Sequence, residues 1–298
     1  MSDLILDPSH GMEQPALIVA FTGWSDAVEA SSRAVGFLRD TLQAKPVGGI
    51  RADDYYDLTT VRPHAVIRHG VLRALQYPGT TIYAWKSPIS GGRDLLLLEA
   101  AEPSARWPAY CEAVMELVSR CDVQAVYCVG SLFDAVAHTR PARVSIAVGQ
   151  IEVRQALTRL GLPQVNYEGP SSVHSALLEA CRMRRIPSAS FWGHVPAYAQ
   201  LSWNPRITLA LLHTVQAALD LRFDLRELEP QATQIDELLD RLVESDADLG
   251  RQVREYERRY DQDAKPSILP SADTILNQVE ELLCTHQESD EEEDQGAE

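Results

Sequence analysis

The sequence predicts an α/β fold: a three-layer α/β/α sandwich followed by a carboxyl-terminal helical extension. Three observations lead there. Short apolar runs of strand length alternate with stretches of helical spacing over roughly residues 10–222, as expected for crossover-connected strands. The runs ALIVAF, DLLLLEAAEP and VQAVYCVG lack polar alternation, which suits strands covered on both faces. Beyond about residue 225 the apolar positions Ile235, Leu238, Leu242, Leu249, Val253 and Tyr256 recur among many charges, as in an amphipathic helix. The expected organisation is a core domain over 1–225, a helical extension over 226–286 and a disordered acidic tail over 287–298.

The elements follow in order. Ala16 to Phe21 reads as a buried strand that breaks at Thr22-Gly23-Trp24. A helix then restarts with Val28, Val35 and Leu38 on its inner side. Asp26 and Glu29 stand at N-cap and N3 spacing, with aspartate in place of the usual serine or threonine. The segment GGIRADDYYDLTTVRP (48–63) is polar, aromatic and rich in turn formers. HAVIRHGVLRALQYP alternates as a hairpin or edge strands closed by Pro78-Gly79. TTIYAWKSP and DLLLLEAAEP are strands, and Trp107 to Cys121 carries Tyr110, Val114, Leu117 and Val118 at helical spacing. VQAVYCVG (123–130) is the clearest buried strand. It leads through the loop SLFDAVAHTRP (131–141) to a strand in RVSIAVG. A helix over Ser172–Arg185, a strand in SASFWGHVP and a helix opened by Asn204-Pro205 and running to about Leu221 complete the core. The later amphipathic region, 230–262, is one helix or a hairpin broken at Ser245–Gly250, and SILPSADTILNQVEELL adds a short helix.

Composition excludes several functions. The chain of 298 residues has a formal net charge of −16, from 43 acids and 27 bases. The last eleven residues, ESDEEEDQGAE, hold seven of the acids and no base, which leaves 36 acids against 27 bases before them, or −9. An acidic body without a basic run repels a phosphate backbone, so no nucleic-acid partner is expected. No apolar stretch approaches the roughly 20 residues of a membrane span. MSDLILDPSHGMEQP lacks the basic start of a signal peptide. The five cysteines (111, 121, 128, 181 and 284) form no CxxC pair, and buried reduced thiols in a cytoplasmic protein are the simplest expectation.

The chemistry-bearing residues fall in turns between strands and helices. Open α/β sheets bind ligands at the carboxyl ends of their strands, which singles out Gly23, Trp24 and Asp26. Two carboxylates in the first helical turn complement the helix dipole but repel a phosphate, which favours a structural turn over a ligand loop. Asp53 and Asp54 offer paired carboxylates or simply a solvated face; Tyr55 and Tyr56 cover an edge or an interface, and Arg62 closes the same segment. His138 and Arg140 follow a buried strand, where they either reach a cleft or shape the loop before Pro141. Tyr167 and Glu168 precede a sharp Gly-Pro turn, and His194 with Tyr198 completes the same rim. GxSxG, Walker, GxGxxG and HExxH motifs are absent, and His64 and His69 have no further ligand nearby in sequence. No catalytic set, cofactor or metal is therefore expected.

Taken together, PALIVAFTGWSDAVEAS, DDYYDLTTVRP, LFDAVAHTRP, YEGPSSVHSALLEACRMRRIPSASFWGHVPAYAQ, NPRITLALL, QVREYERRYD and LPSADTILNQVEELL resemble the bacterial and archaeal branch of the proteasome assembly chaperone two family. The resemblance spans about residues 15–284. It implies a fold like that of the nucleoside phosphorylases, a homo-oligomer (a trimer favoured) and a non-catalytic role in assembling a proteasome or another protein complex. Some archaeal relatives end in a hydrophobic–tyrosine–any-residue tail; this chain ends in Gln295-Gly296-Ala297-Glu298, so tail docking does not carry over. Ala137 stands where proline is expected before HTRP. The alternative is a small-molecule binder or a hydrolase- or phosphorylase-like enzyme acting on a nucleoside- or phosphate-containing ligand at the sheet's carboxyl edge.

Overall fold

A computed structural model describes residues 3–7, 11–52, 54–89 and 91–263. The expected helix in SILPSADTILNQVEELL, Cys284, Asp53 and the acidic tail lie outside the described residues. One compact unit covers Met1–Glu257, and a second begins at Arg258.

The strands are β1 (Leu4–Leu6), β2 (Ala16–Thr22), β3 (Lys45–Ile50), β4 (His64–Arg68), β5 (Val71–Gln76), β6 (Thr80–Trp85), β7 (Leu95–Ala101), β8 (Ala125–Asp134), β9 (Val144–Val148) and β10 (Ser188–Pro196). The helices are α1 (Ala30–Leu42), α2 (Trp107–Arg120), α3 (Ile151–Leu157), α4 (Val173–Met183), α5 (Pro205–Leu219), α6 (Glu229–Ser245) and α7 (Ala247–Asp263). Eight strands form one mixed sheet in the order β1-β3-β6-β7-β2-β8-β10-β9, and β4 pairs with β5 in a separate ribbon. The β7-β2-β8-β10 centre is parallel, whereas β6 and β9 run antiparallel to their inner neighbours.

Side-chain alternation divides this sheet into two apolar layers. Ala16, Ile18 and Ala20 of β2 join Ala34, Val35 and Leu38 of α1 and Ile207, Leu211 and Val215 of α5 on one face. Leu17, Val19 and Phe21 join Tyr110, Val114 and Leu117 of α2 and Leu177 of α4 on the other. Coverage of both faces explains why the central strands are apolar without alternation. Leu228 and Leu239 are buried in the α1–α5 layer, so α6 partly covers its apolar stripe with the body of its own chain. The break between α6 and α7 falls at Asp246, whose Oδ1 accepts from the backbone N–H groups of Asp248 (2.9 Å) and Leu249 (3.1 Å).

Several local expectations hold. Ser172 Oγ accepts from the His174 N–H at the start of α4, and Asn204 Oδ1 accepts from the Ile207 N–H at the start of α5, each at 3.3 Å. Pro205 occupies the first turn of α5. Other elements differ from the sequence expectation. β8 continues through Ser131–Asp134, expected as loop, because β10 pairs with it as far as Asp134. β3 includes Gly48 and Gly49, expected as turn formers. A Cβ at Gly48 would meet the Ile5 carbonyl oxygen, and one at Gly49 the Thr80 carbonyl oxygen, so these glycines permit strand packing.

The first helix also requires a correction. Val28 and Glu29 lie outside α1, at φ 50°, ψ 37° and φ 53°, ψ 21°. This left-handed backbone delays the helix to Ala30, so Val28 is not on its inner face and Glu29 is not its N3 residue. Glu29 instead pairs with Arg33 at 2.7 Å.

Candidate functional site

The parallel centre brings the ends of β2, β7, β8 and β10 to one edge of the sheet. The turn after β2 is fixed from within. Gly23 takes φ 121°, which favours glycine. Asp26 Oδ1 accepts from the Ser31 N–H (2.9 Å), the Ser31 hydroxyl (2.5 Å) and the Ser32 N–H (3.1 Å). Its carboxylate therefore caps α1, although five residues from Ser31 instead of at the expected spacing. The Ser131 N–H donates to the Ser25 carbonyl at 2.8 Å, and its hydroxyl donates to the Ala27 carbonyl at 3.0 Å. A β-branched residue in left-handed backbone is costly and persists where its surroundings over-determine it. Ser131 and Asp26 supply those constraints at Val28.

The second helix start on this edge is also occupied by protein. Glu102, just beyond β7, accepts from the Val173 N–H at 2.9 Å. Carboxylates thus hold amides at the beginnings of both α1 and α4, where an external phosphate would otherwise bind.

On the α5–α6 side lies a polar network centred on a buried histidine. Buried His138 donates its backbone N–H to Tyr198 Oη at 2.8 Å, and its Nδ1 lies 2.6 Å from the same oxygen. In the neutral imidazole, the tyrosine hydroxyl donates to Nδ1, which leaves Nε2–H facing Asp240 at 3.1 Å. Burial pushes the Tyr198 phenol up to about 12. Arg140 pairs with Glu257 at 3.2 Å, and Thr139 donates to the same carboxylate at 2.5 Å. Arg206 spans Asp236 (2.8 Å) and the Arg140 carbonyl (2.5 Å). The space among His138, Arg140, His194, Asn204 and Arg206 is about 10 Å³, no more than a single water requires.

His194 joins three strands. Its Nδ1 lies 2.7 Å from Asp134 of β8, and its Nε2 lies 2.7 Å from Ser145 of β9. The His194 hydrogen bond holds the Asp134 carboxyl below its usual range. Asp-His-Ser connectivity matches that of an acyl-transfer triad, but Ser145 is 2% exposed. Its hydroxyl is therefore out of reach of a substrate carbonyl, and the chain of hydrogen bonds fastens β9 to β10 and β8.

The α2–α4 side holds Tyr55 and Tyr56. Tyr55 is buried; it donates to Asp3 at 2.6 Å, meets Tyr110 edge-on, and burial pushes its phenol up to about 12. The Arg106 guanidinium lies over the Tyr55 ring and pairs with exposed Asp54. Tyr56 Oη donates to the Ala101 carbonyl at 3.1 Å. Trp24 and Tyr167 are 63% and 65% exposed, and Arg62 and Glu168 are not buried either. Ser131, Glu102, Asp240 and Glu257 were not found by sequence reasoning; the one local signal was the carboxylate of Glu102 closing a buried strand.

Among the described residues, no group of three or more histidine, cysteine, aspartate or glutamate side chains is arranged to hold a metal. Cys111, Cys121, Cys128 and Cys181 are free thiols, and no described helix is long and apolar enough to cross a membrane.

With this geometry in place, comparison with known proteins gives a consistent result. The PAC2 family model matches residues 20–243. A PAC2 family protein from Streptomyces avermitilis is 32% identical, with a TM-score of 0.73 over 81% of this chain and 99% of the other. The Mycobacterium tuberculosis proteasome-assembly chaperone homologue Rv2125 is 32% identical, with a TM-score of 0.73 over 80% and 99%. Pyrococcus furiosus PbaB, an archaeal proteasome activator, shares the fold at 17% identity, with a TM-score of 0.65 over 81% and 99%. No curated protein matches the chain.

Proposed function

The chain belongs to the PAC2 family, and from that premise we propose that it is a non-catalytic, homo-oligomeric assembly chaperone that binds a protein partner of proteasome type. The likeness to the mycobacterial proteasome-assembly chaperone homologue, over nearly the whole of that protein, carries the reading. The site chemistry supports it. At the sheet edge the starts of α1 and α4 are held by carboxylates, and the histidines there are engaged in a network without room for a metabolite. An eight-stranded mixed sheet between two helical layers also supports a phosphorylase-like fold. In this reading the chain from α6 onward forms a helical extension of the core, and the protein works in the cytoplasm.

The rim residues Gly23, Trp24, Asp26, Asp54, Tyr55, Arg62, His138, Arg140, Tyr167, Glu168, His194 and Tyr198 then divide into two roles. The buried and half-buried ones (Asp26, Tyr55, His138, Arg140, His194 and Tyr198) shape the edge, and the exposed ones (Gly23, Trp24, Asp54, Arg62, Tyr167 and Glu168) present a face to the partner. Reconstitution of proteasome particles from separated subunits tests the proposal. Faster or more complete particle formation in the presence of the chain, with co-migration on native gels, is the expected result. Unchanged assembly together with no co-migration overturns it. Thermal-shift screening with nucleosides and inorganic phosphate tests the enzymatic alternative, for which stabilisation is the required outcome.

A further inference from the structure

The β4–β5 ribbon is the least covered apolar part of the described chain. Its register sets Ile67 opposite Leu72 and Ala65 opposite Leu75, with an irregularity between Val66 and Ile67. Ile67, Leu72 and Leu75 consequently share one face, and they are 64%, 57% and 46% exposed. A lone two-stranded ribbon is marginal in water, and contiguous exposed apolar groups mark an interaction surface.

The charge of this region is opposite to that of the chain. From Leu58 to Arg93 the sequence contains Arg62, Arg68, Arg73, Lys86 and Arg93 and no carboxylate, in a protein of net charge −16. Arg68 and Arg73 are exposed in the ribbon itself.

A complementary surface lies on α6. Leu238 and Leu242, one helical turn apart, are 41% and 42% exposed. Between Glu227 and Asp248 the sequence holds eight carboxylates against Arg241 alone. Two of these, Asp236 and Asp240, turn inward to Arg206 and His138, whereas Glu237 and Glu244 are exposed. Both apolar strips are open in the protomer, so the ribbon and α6 do not cover each other within one chain.

We propose that the basic, apolar β4–β5 ribbon of one protomer docks on the acidic, apolar α6 face of a second copy of this chain. The contact joins two different surfaces, so it is heterologous, and its repetition gives a ring where the rotation between protomers closes. Apolar side chains supply the attraction, and the opposed charges set orientation and disfavour ribbon-to-ribbon pairing. This inference rests on the homo-oligomer proposed above.

Light scattering after size separation tests it in the full-length protein at micromolar concentration. Leu72→Glu with Leu75→Glu disables the ribbon, and Leu238→Glu with Leu242→Glu disables the helix face. Each variant alone is expected at single-protomer mass, with an unfolding midpoint near that of the wild type. Their equimolar mixture keeps one competent ribbon and one competent helix, so it is expected to give a two-protomer species and nothing larger. Should the ribbon variant fail to fold, Arg68→Glu with Arg73→Glu replaces it and is expected to show the same loss of mass. A wild type of single-protomer mass overturns both this inference and the oligomeric reading. Wild-type mass in either variant, or a mixture that remains single-protomer, overturns this inference alone.

Discussion

The carboxyl edge of the sheet and the β4–β5 ribbon solve opposite problems. At the edge, polar groups are turned inward: Asp26 holds the start of α1, Glu102 the start of α4, His138 reaches Tyr198 and Asp240, and His194 bridges Asp134 and Ser145. In the ribbon, Ile67, Leu72 and Leu75 face solvent beside exposed arginines. The edge is where this fold class usually places its chemistry, yet here the starts of α1 and α4 and the histidine sites are closed by the chain's own groups. The ribbon has no chemistry to offer, yet it is open. The difference teaches that this chain turns its polar groups to fixing a scaffold and leaves apolar surface exposed in the ribbon.

Perturbing the two regions should have unequal consequences. Leu239→Ala removes a side chain buried where α6 meets the α1–α5 layer, and should lower folding stability by about 3 kcal/mol in a urea titration. His174 gives the next effect. It is fully buried beside Phe21 and Trp192, and burial lowers its imidazole to about 3. It is thus neutral in the folded state, while the unfolded state takes up a proton below about pH 6.5. Stability from this group is present above that pH and falls as pH drops from about 6.5 towards 3, by about 2 kcal/mol at pH 5. Unfolding midpoints across this range should be flatter in His174→Leu than in the wild type.

Asp26→Ala removes the acceptor of three hydrogen bonds and should cost about 1.5 kcal/mol, read as a lower unfolding midpoint. Leu72→Ser, in the open ribbon, should change the folding stability of the separated protomer by less than about 0.5 kcal/mol. A large loss there would mean that the ribbon belongs to the folded core, and a small loss at Leu239 or Asp26 would mean that the edge is not closed as described.

Much of this contrast was legible in the sequence, and the reasons for the exceptions are physical. The central strands could be read because burial on both faces leaves continuous apolar runs, as in Leu95–Leu98. The helix starts at Ser172 and Asn204 could be read because the groups that fix them lie within two or three residues. Asp26 was found as a cap, but its spacing was not, because left-handed Val28 and Glu29 shift the helix start. β3 was hidden by Gly48 and Gly49, whose missing side chains serve packing against β1 and β6 and not a turn. The partners of His138 and Val173 lie 102 and 71 residues away along the chain, and only the tertiary fold brings them together.

Hydrogen–deuterium exchange of the intact protein, compared with the Leu72→Glu and Leu75→Glu variant, tests the central contrast most directly. Amides of α6 are expected to exchange faster in the variant, while those of β2 and β8 keep the wild-type rate. Unchanged exchange in α6, or loss of protection in β2 and β8, would contradict a closed edge paired with an open ribbon.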